Sequence, residues 1–279
     1  MLIRAFQKDA ILLDDIKSSQ ATKDQLNLWW LGQSGYLIQW NEKHLLLDPY
    51  LSDSLTLKYA DTDKQHIRMS ELVIDPSKLD FIDIVTSSHN HTDHLDADTL
   101  VPLINNNPPI KMIIPEANRR FVCDRIGTKQ DFPIGLNDTQ IVTLDGFTFT
   151  GIPAAHNSLD RDDKGNCKFM GYVIQFGDWT IYHSGDTLWH DEVVDQLKPF
   201  KIDLALLPIN GNKPERRVAG NLNAEEAVRL GKILGIKTII PCHYDMFTFN
   251  TVTTDEFEAI AKAEGQDYKI LTGGEKWVG

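Results

Sequence analysis

Apolar positions along the chain fall into short runs broken by Gly-, Asn- and Asp-rich turns, a pattern of strands more than of long helices. Phe81-Ile82-Asp83-Ile84-Val85-Thr86 is apolar and β-branched and predicts a buried strand. Residues 29–40, a turn at Asn41-Glu42-Lys43 and residues 44–49 predict a hairpin. Residues 140–144 and 147–152 flank Asp145-Gly146, and 172–176 and 179–183 flank Gly177-Asp178, so two more hairpins are expected. Single strands are expected at 110–115, 204–208, 236–241 and 269–272. Helices are expected at 97–105 and 117–126. A third runs from a capping box at Asn223 and Glu226 to a stop at Gly235. A fourth runs from Thr253, with Glu256 as its partner, to Gly265. Strands dominate both halves with helices between them. The expected fold class is α/β (α+β), two sheets face to face with helices outside, in a single domain over 1–279. Residues 50–76 are polar and too long for a plain connection, so they are expected to cap or line a pocket.

The bulk numbers narrow the class. With 279 residues, 42% hydrophobic and 24% charged, the chain has an ordinary globular composition. No apolar run is long enough to span a bilayer, and residues 1–20 carry Asp9, Asp14 and Asp15 without a signal-peptide core. A cytoplasmic protein without a membrane partner is expected. Cys123, Cys167 and Cys242 are too few and too scattered for a disulfide framework, which fits a reducing compartment. Cys242, although next to His243, reads as a buried, inert thiol. A net charge of −12 disfavours a nucleic-acid partner. Bound cations would reverse the field locally and still draw in a small anion.

The chemistry concentrates in Ser88-His89-Asn90-His91-Thr92-Asp93-His94, directly after the strand at 81–86. Imidazoles and a carboxylate at the rim of a sheet suit zinc, manganese or iron. His89 and His91 point one way only while the chain stays extended, and the turn that follows must redirect Asp93 and His94. That geometry suits two neighbouring metal ions, His89 and His91 on the first, Asp93 and His94 on the second. His156, Asp186 and His243 each lie just past the C-terminal end of a predicted strand and complete the candidate set. His183, near Asp186, is a candidate supporting neighbour. His44, His66 and His190 lack such context and read as structural or surface residues.

These residues resemble the five signature motifs of the metallo-β-lactamase superfamily. Asp48 falls at the first, His89-x-His91-x-Asp93-His94 at the second, His156 at the third, Asp186 at the fourth and His243 at the fifth. Trp29-Trp30-Leu31-Gly32, Tyr182-His183-Ser184-Gly185-Asp186 and the sweep from Asn210-Gly211 through Ile239-Ile240-Pro241-Cys242-His243-Tyr244-Asp245 resemble its ascorbate-6-phosphate lactonase-like branch. The resemblance implies a four-layer αββα sandwich with metals at the edge between the sheets. It implies His89, His91 and His156 on one divalent ion, Asp93, His94 and His243 on the other, and Asp186 bridging them. Asp48 would support the histidine loop by hydrogen bonds.

Two ions, zinc or manganese, held roughly 3.5–4 Å apart would activate a hydroxide at neutral pH without a serine or cysteine nucleophile. Asp93 and Asp186 are the expected catalytic carboxylates, Asp93 orienting the hydroxide. The expected activity is hydrolysis of a small, anionic lactone, ester or amide, a sugar-phosphate lactone among them. The alternative is a phosphodiesterase acting on a small nucleotide or phospholipid-type substrate. Residues 51–76, 157–170 and 210–221 are the expected substrate loops, where Arg68, Arg161, Arg216 and Arg217 are candidate clamps for a phosphate or carboxylate. Tyr244 is a candidate oxyanion donor, with packing as its other reading. A small molecule is the expected partner, and a homo-oligomer is compatible with the sequence.

Overall fold

The computed structural model describes residues 1–19 and 24–279. Helix α1 (Asp9–Ser19) precedes three antiparallel strands, β1 (Asn27–Gly32), β2 (Gly35–Trp40) and β3 (Lys43–Leu47). A short helix α2 (Ser54–Lys58) leads to β4 (Ile84–Thr86), α3 (Ala97–Asn106), β5 (Lys111–Pro115), α4 (Arg119–Ile126) and β6 (Pro133–Leu136). An antiparallel meander follows: β7 (Ile141–Leu144), β8 (Phe147–Pro153), β9 (Met170–Phe176) and β10 (Trp179–His183). Then come α5 (Asp191–Leu197), β11 (Leu204–Pro208), α6 (Ala224–Leu234), β12 (Thr238–Cys242), α7 (Asp255–Glu264), β13 (Asp267–Tyr268) and β14 (Lys276–Val278).

The strands form two seven-stranded sheets, ordered β14-β1-β2-β3-β4-β5-β6 and β13-β12-β11-β10-β9-β8-β7. In the first sheet β3 to β6 run parallel, and in the second β10 to β13 do. Strand alternation explains the layers. Leu28, Trp30, Tyr36, Ile38, Leu45, Leu47, Ile84 and Ile113 join the core shared with the second sheet. Their neighbours Trp29, Leu31, Leu37, Leu46, Val85, Met112 and Ile114 face the other way, onto Leu12 and Ile16 of α1, Leu100 and Leu103 of α3, and Val122 and Ile126 of α4. Both faces of this sheet are buried, which is why its strands read as unbroken apolar runs. Helices α5, α6 and α7 pack on the second sheet through Val193, Leu197, Ala227, Leu230, Phe257 and Ala261. The four-layer αββα arrangement follows. No helix among the described residues is long and apolar enough to cross a membrane.

Local chemistry explains the predicted turns. Asp145 and Gly146 both have positive φ (49° and 90°), as a two-residue hairpin with the sheet's twist requires. Asn223 Oδ1 accepts from Glu226 N (2.8 Å), Glu226 Oε2 accepts from Asn223 N (3.0 Å), and Gly235 ends α6 in the left-handed region.

Several expectations need correction. The strand at 81–86 is regular only over Ile84–Thr86, so the extended chain ends before His89. Helix α7 starts after Thr254, not Thr253, and Thr254 makes no side-chain cap. Residues 269–272 are not a strand. The Lys269 N–H donates to Ile239 O, one rung beyond β13, and the chain then leaves the sheet. The Tyr244 hydroxyl takes the place of a ladder partner, donating to Leu271 O (2.5 Å) and accepting from Leu271 N (3.2 Å). The last strand is β14, hydrogen-bonded to β1 in the other sheet. The sequence pattern does not predict helices α1, α2 and α5 or strand β6.

Candidate metal centre

Strands β3, β4, β8, β10 and β12 all point their C-terminal ends at one edge of the sandwich, where Asp48, the histidine loop, His156, Asp186 and His243 follow them. Ser87 Oγ donates to His89 O (2.7 Å), and the N–H groups of His94 and Leu95 both donate to His91 O, folding the loop into a tight turn. Gly185 lets the Asp186 loop lie against it: a Cβ there would come within 2.7 Å of Ser88 and of Met170 O, and its φ is +57°. Asp48 and His243, neither of them glycine, also have positive φ (37° and 67°), local strain of the kind that gathers at functional sites.

The side chains form two sets, His89 with His91 and His156, and Asp93 with His94, Asp186 and His243. One ligand atom from each member of a set lies within 4.8 Å of the others. Asp186 touches both sets: Oδ1 is 3.3 Å from His94 Nε2, and Oδ2 is 3.2 Å from His243 Nε2 and 3.5 Å from His156 Nε2. Outer contacts fix the rings. His156 Nδ1–H donates to Gly220 O (2.8 Å), and His94 Nδ1–H donates to Asp48 Oδ2 (2.8 Å), so each presents Nε2 inward. Asp48 itself is fully buried and accepts from Thr86 Oγ1 (2.8 Å) and Ser88 N (3.0 Å).

This donor set fits metal ions. His89 Nε2, His94 Nε2 and Asp186 Oδ1 are buried and lack hydrogen-bond partners, a costly state unless a cation receives their lone pairs. Charge balance agrees. Burial and the neighbouring His94 and His91 imidazoles push His89 well below its ordinary value, and burial with His156 beside it brings His91 to about 4. Both are neutral imidazoles, the ligand form, near neutral pH. Burial opposes ionisation of Asp186, yet His243, His94 and His156 hold it well below the carboxylate range. Burial would lower His94, but Asp186, Asp93 and Asp48 outweigh it and raise it well above its ordinary value. That is where a cation would displace the proton.

A cavity of about 540 Å³ opens onto the centre, lined by His91, Asp93, His156, Asp186 and His243 and by residues of the 50–76 segment. Of the four arginines singled out from sequence, Arg217 lines it and also pairs with Asp63. The other three do not line it. Arg68 pairs with Asp53 (2.5 Å), Arg161 with Asp138 (3.1 Å), and Arg216 Nη1 donates to Asn210 O (2.8 Å) and Asn250 Oδ1 (2.9 Å). Tyr244 is buried, stacked on Trp30 at 4.5 Å with its hydroxyl committed to Leu271, so it packs. His183 is buried, its Nε2 3.2 Å from Ser34 O. Burial raises the Cys242 thiol strongly, and it lies 3.7 Å from Ser34 Oγ.

Sequence reasoning missed other cavity residues. Gln33, in the tight β1–β2 turn, donates from Nε2 to Asp93 Oδ2 (2.8 Å) and lies 3.0 Å from His243 Nε2. Lys58 on α2 and Arg125 on α4 line the cavity without a carboxylate partner among the described residues. Lys58 Nζ donates to Thr92 Oγ1 (3.2 Å). Arg125 Nη1 donates to Asn90 O (2.8 Å) and Leu95 O (3.1 Å), and its guanidinium lies over Phe121 at 4.4 Å. For Lys58, the usable signal was its place inside the segment expected to line a pocket.

A sequence model of the beta-lactamase superfamily domain matches residues 43–244. The chain belongs to that superfamily. Within the superfamily, it is 27% identical over 252 residues to a UPF0173 metal-dependent hydrolase of Saccharolobus solfataricus, covering 89% of this chain and 97% of that one. It is 23% identical over 267 residues to a probable L-ascorbate-6-phosphate lactonase of Escherichia coli, covering 85% of this chain and 74% of that one. Among solved structures, an isothiocyanate hydrolase from Delia radicum gut bacteria superposes with a TM-score of 0.71 at 22% identity, over 90% of this chain and 98% of that one. That last likeness is one of fold. As a member of the beta-lactamase superfamily, this chain is a metal-dependent hydrolase.

Proposed function

We propose that the enzyme hydrolyses an acyl bond, in a lactone, ester or amide, of a small anionic molecule at a centre of two divalent ions, zinc or manganese. The observation that carries this reading is Asp186, whose two oxygens lie against histidines of both sets. His89, His91 and His156 would hold one ion, and Asp93, His94 and His243 the other. When bound, such a pair supplies Lewis acidity and brings the pKa of a water down toward about 7.

The chain's own groups complete the chemistry. Gln33 holds Asp93 Oδ2, while Asp93 Oδ1 makes no hydrogen bond among the described residues and is free to orient the attacking water. Lys58 and Arg125 attract an anionic substituent at the cavity wall. The cavity's size suits a small molecule. A screen of lactones, esters, amides and phosphodiesters on metal-loaded protein tests the reading. Hydrolysis of anionic acyl substrates is the expected result, and cleavage of phosphodiesters alone would replace it.

A further inference from the structure

His66 is the one cavity histidine outside the two ligand sets among the described residues, and aromatic rings surround it. Its ring is caged by Tyr59 at 4.6 Å, Phe249 at 5.1 Å and Phe247 at 5.3 Å. Its Nδ1 lies 2.6 Å from Lys64 O, so Nδ1 carries the proton and donates it to that carbonyl. The backbone is pinned as well: Thr56 Oγ1 donates to His66 O (2.6 Å), and Thr248 N donates to Ile67 O (2.9 Å). The ring is close enough to Asp93, His243 and Lys58 for their charges to act on it. Nε2 has no partner among the described residues.

Burial lowers this imidazole's proton affinity, against the pull of Lys64 O and Asp93, and so favours the neutral ring. With Nδ1–H committed, a neutral ring offers only an acceptor at Nε2. A phenylalanine would fill the same aromatic cage but would offer no acceptor. An anionic group, which Lys58 and Arg125 suit, cannot satisfy that nitrogen. A donor can.

We propose that His66 Nε2 accepts a hydrogen bond from the substrate, so that the enzyme selects small anions that also carry a hydroxyl or N–H group. This rests on the acyl-hydrolase reading above. It makes His66 a specificity residue: the cationic wall reads the charge, and the caged imidazole reads the donor.

The test uses zinc-loaded protein and two pairs of probes. One is a carboxylated γ-lactone with a ring hydroxyl and its deoxy counterpart. The other is an N-acyl amino acid and its N-methyl counterpart. The native enzyme should favour the donor-bearing member of one pair by about 10- to 100-fold in kcat/KM, and the responding pair tells hydroxyl from N–H. His66→Phe should erase that preference while leaving metal content and turnover of the donor-free member within about threefold. His66→Gln, which restores an acceptor oxygen, should recover part of it. A preference that survives in His66→Phe, or an equal loss for both members, overturns the assignment. A second readout does not depend on turnover. In zinc-loaded protein with 15N-labelled histidine, glycolate should move the His66 Nε2 resonance and acetate should not. An equal response to both, or none to glycolate, also overturns it. If none of the four probes is hydrolysed, the acyl reading fails, and the glycolate comparison still judges His66.

Discussion

Asp48 and His94 are both sealed from solvent, and Asp48 Oδ2 accepts the Nδ1–H of His94 at 2.8 Å. The other Asp48 oxygen receives Thr86 Oγ1 and Ser88 N. Every side of this carboxylate therefore faces a donor. Asp48→Asn places an amide N–H₂ against one of those donors, loosening the His94 ring or the loop. Metal affinity should fall about 10- to 100-fold, read by competition with a chelator of known affinity. Unchanged affinity would mean that His94 is oriented by something else.

Asp186→Ala removes the one carboxylate among the described residues in contact with both histidine sets. Elemental analysis should fall from about two ions per chain to one or fewer, and activity should drop by at least about a thousandfold. Retention of both ions with normal turnover would rule out a bridging role.

Cys242→Ala should leave turnover within about threefold, since the thiol is buried and held protonated. Its cost belongs to stability, on the order of 1 kcal/mol for the volume lost beside Ser34. A large loss of turnover with metal still bound would restore the thiol to the mechanism.

Lys58→Gln removes a cation that, among the described residues, has a hydroxyl and an aromatic ring as partners but no carboxylate. KM for an anionic ester should rise by roughly threefold to tenfold, with KM for its neutral analogue unchanged. Raising salt should narrow the difference in the native enzyme. An equal change for both esters would place the anion elsewhere.

His44 lies outside the centre, buried against Phe81 at 4.8 Å, with Nε2 3.0 Å from Gln39 Nε2. Burial, opposed by Asp83, lowers it to about 4 from 6.5. Between those values the unfolded chain binds a proton that the folded one does not, so stability falls as pH drops from 6.5 toward 4. The loss attributable to His44 should be roughly 2 to 3 kcal/mol. Urea titrations of the native protein and His44→Gln should show a stability difference that changes across this window and is flat above it.

The centre was legible where it was local. The spacing from His89 to His94 is a property of one loop, and the strand before it announces itself by its side chains. His156, Asp186 and His243 could be found because each follows an apolar strand. Gly235 marked a helix end. What the sequence hid depends on packing. Arg68, Arg161 and Arg216 have the right chemistry in the right loops, but Asp53, Asp138 and Asn210 engage them. Lys58, Arg125 and His66 carry no motif, and only the fold turns them toward one cavity. Residues 269–272 have strand chemistry but meet a tyrosine hydroxyl where a ladder partner would stand.

The first sheet's loops supply His89, His91, Asp93 and His94; the second sheet's supply His156, Asp186 and His243. Neither half owns a complete candidate ligand set. Under the two-ion reading proposed above, ion retention would report assembly, because a chain whose halves have each formed but docked out of register would present neither set complete. Inside a cell, where chelators compete for every ion, that difference would separate finished molecules from misjoined ones before any substrate arrives.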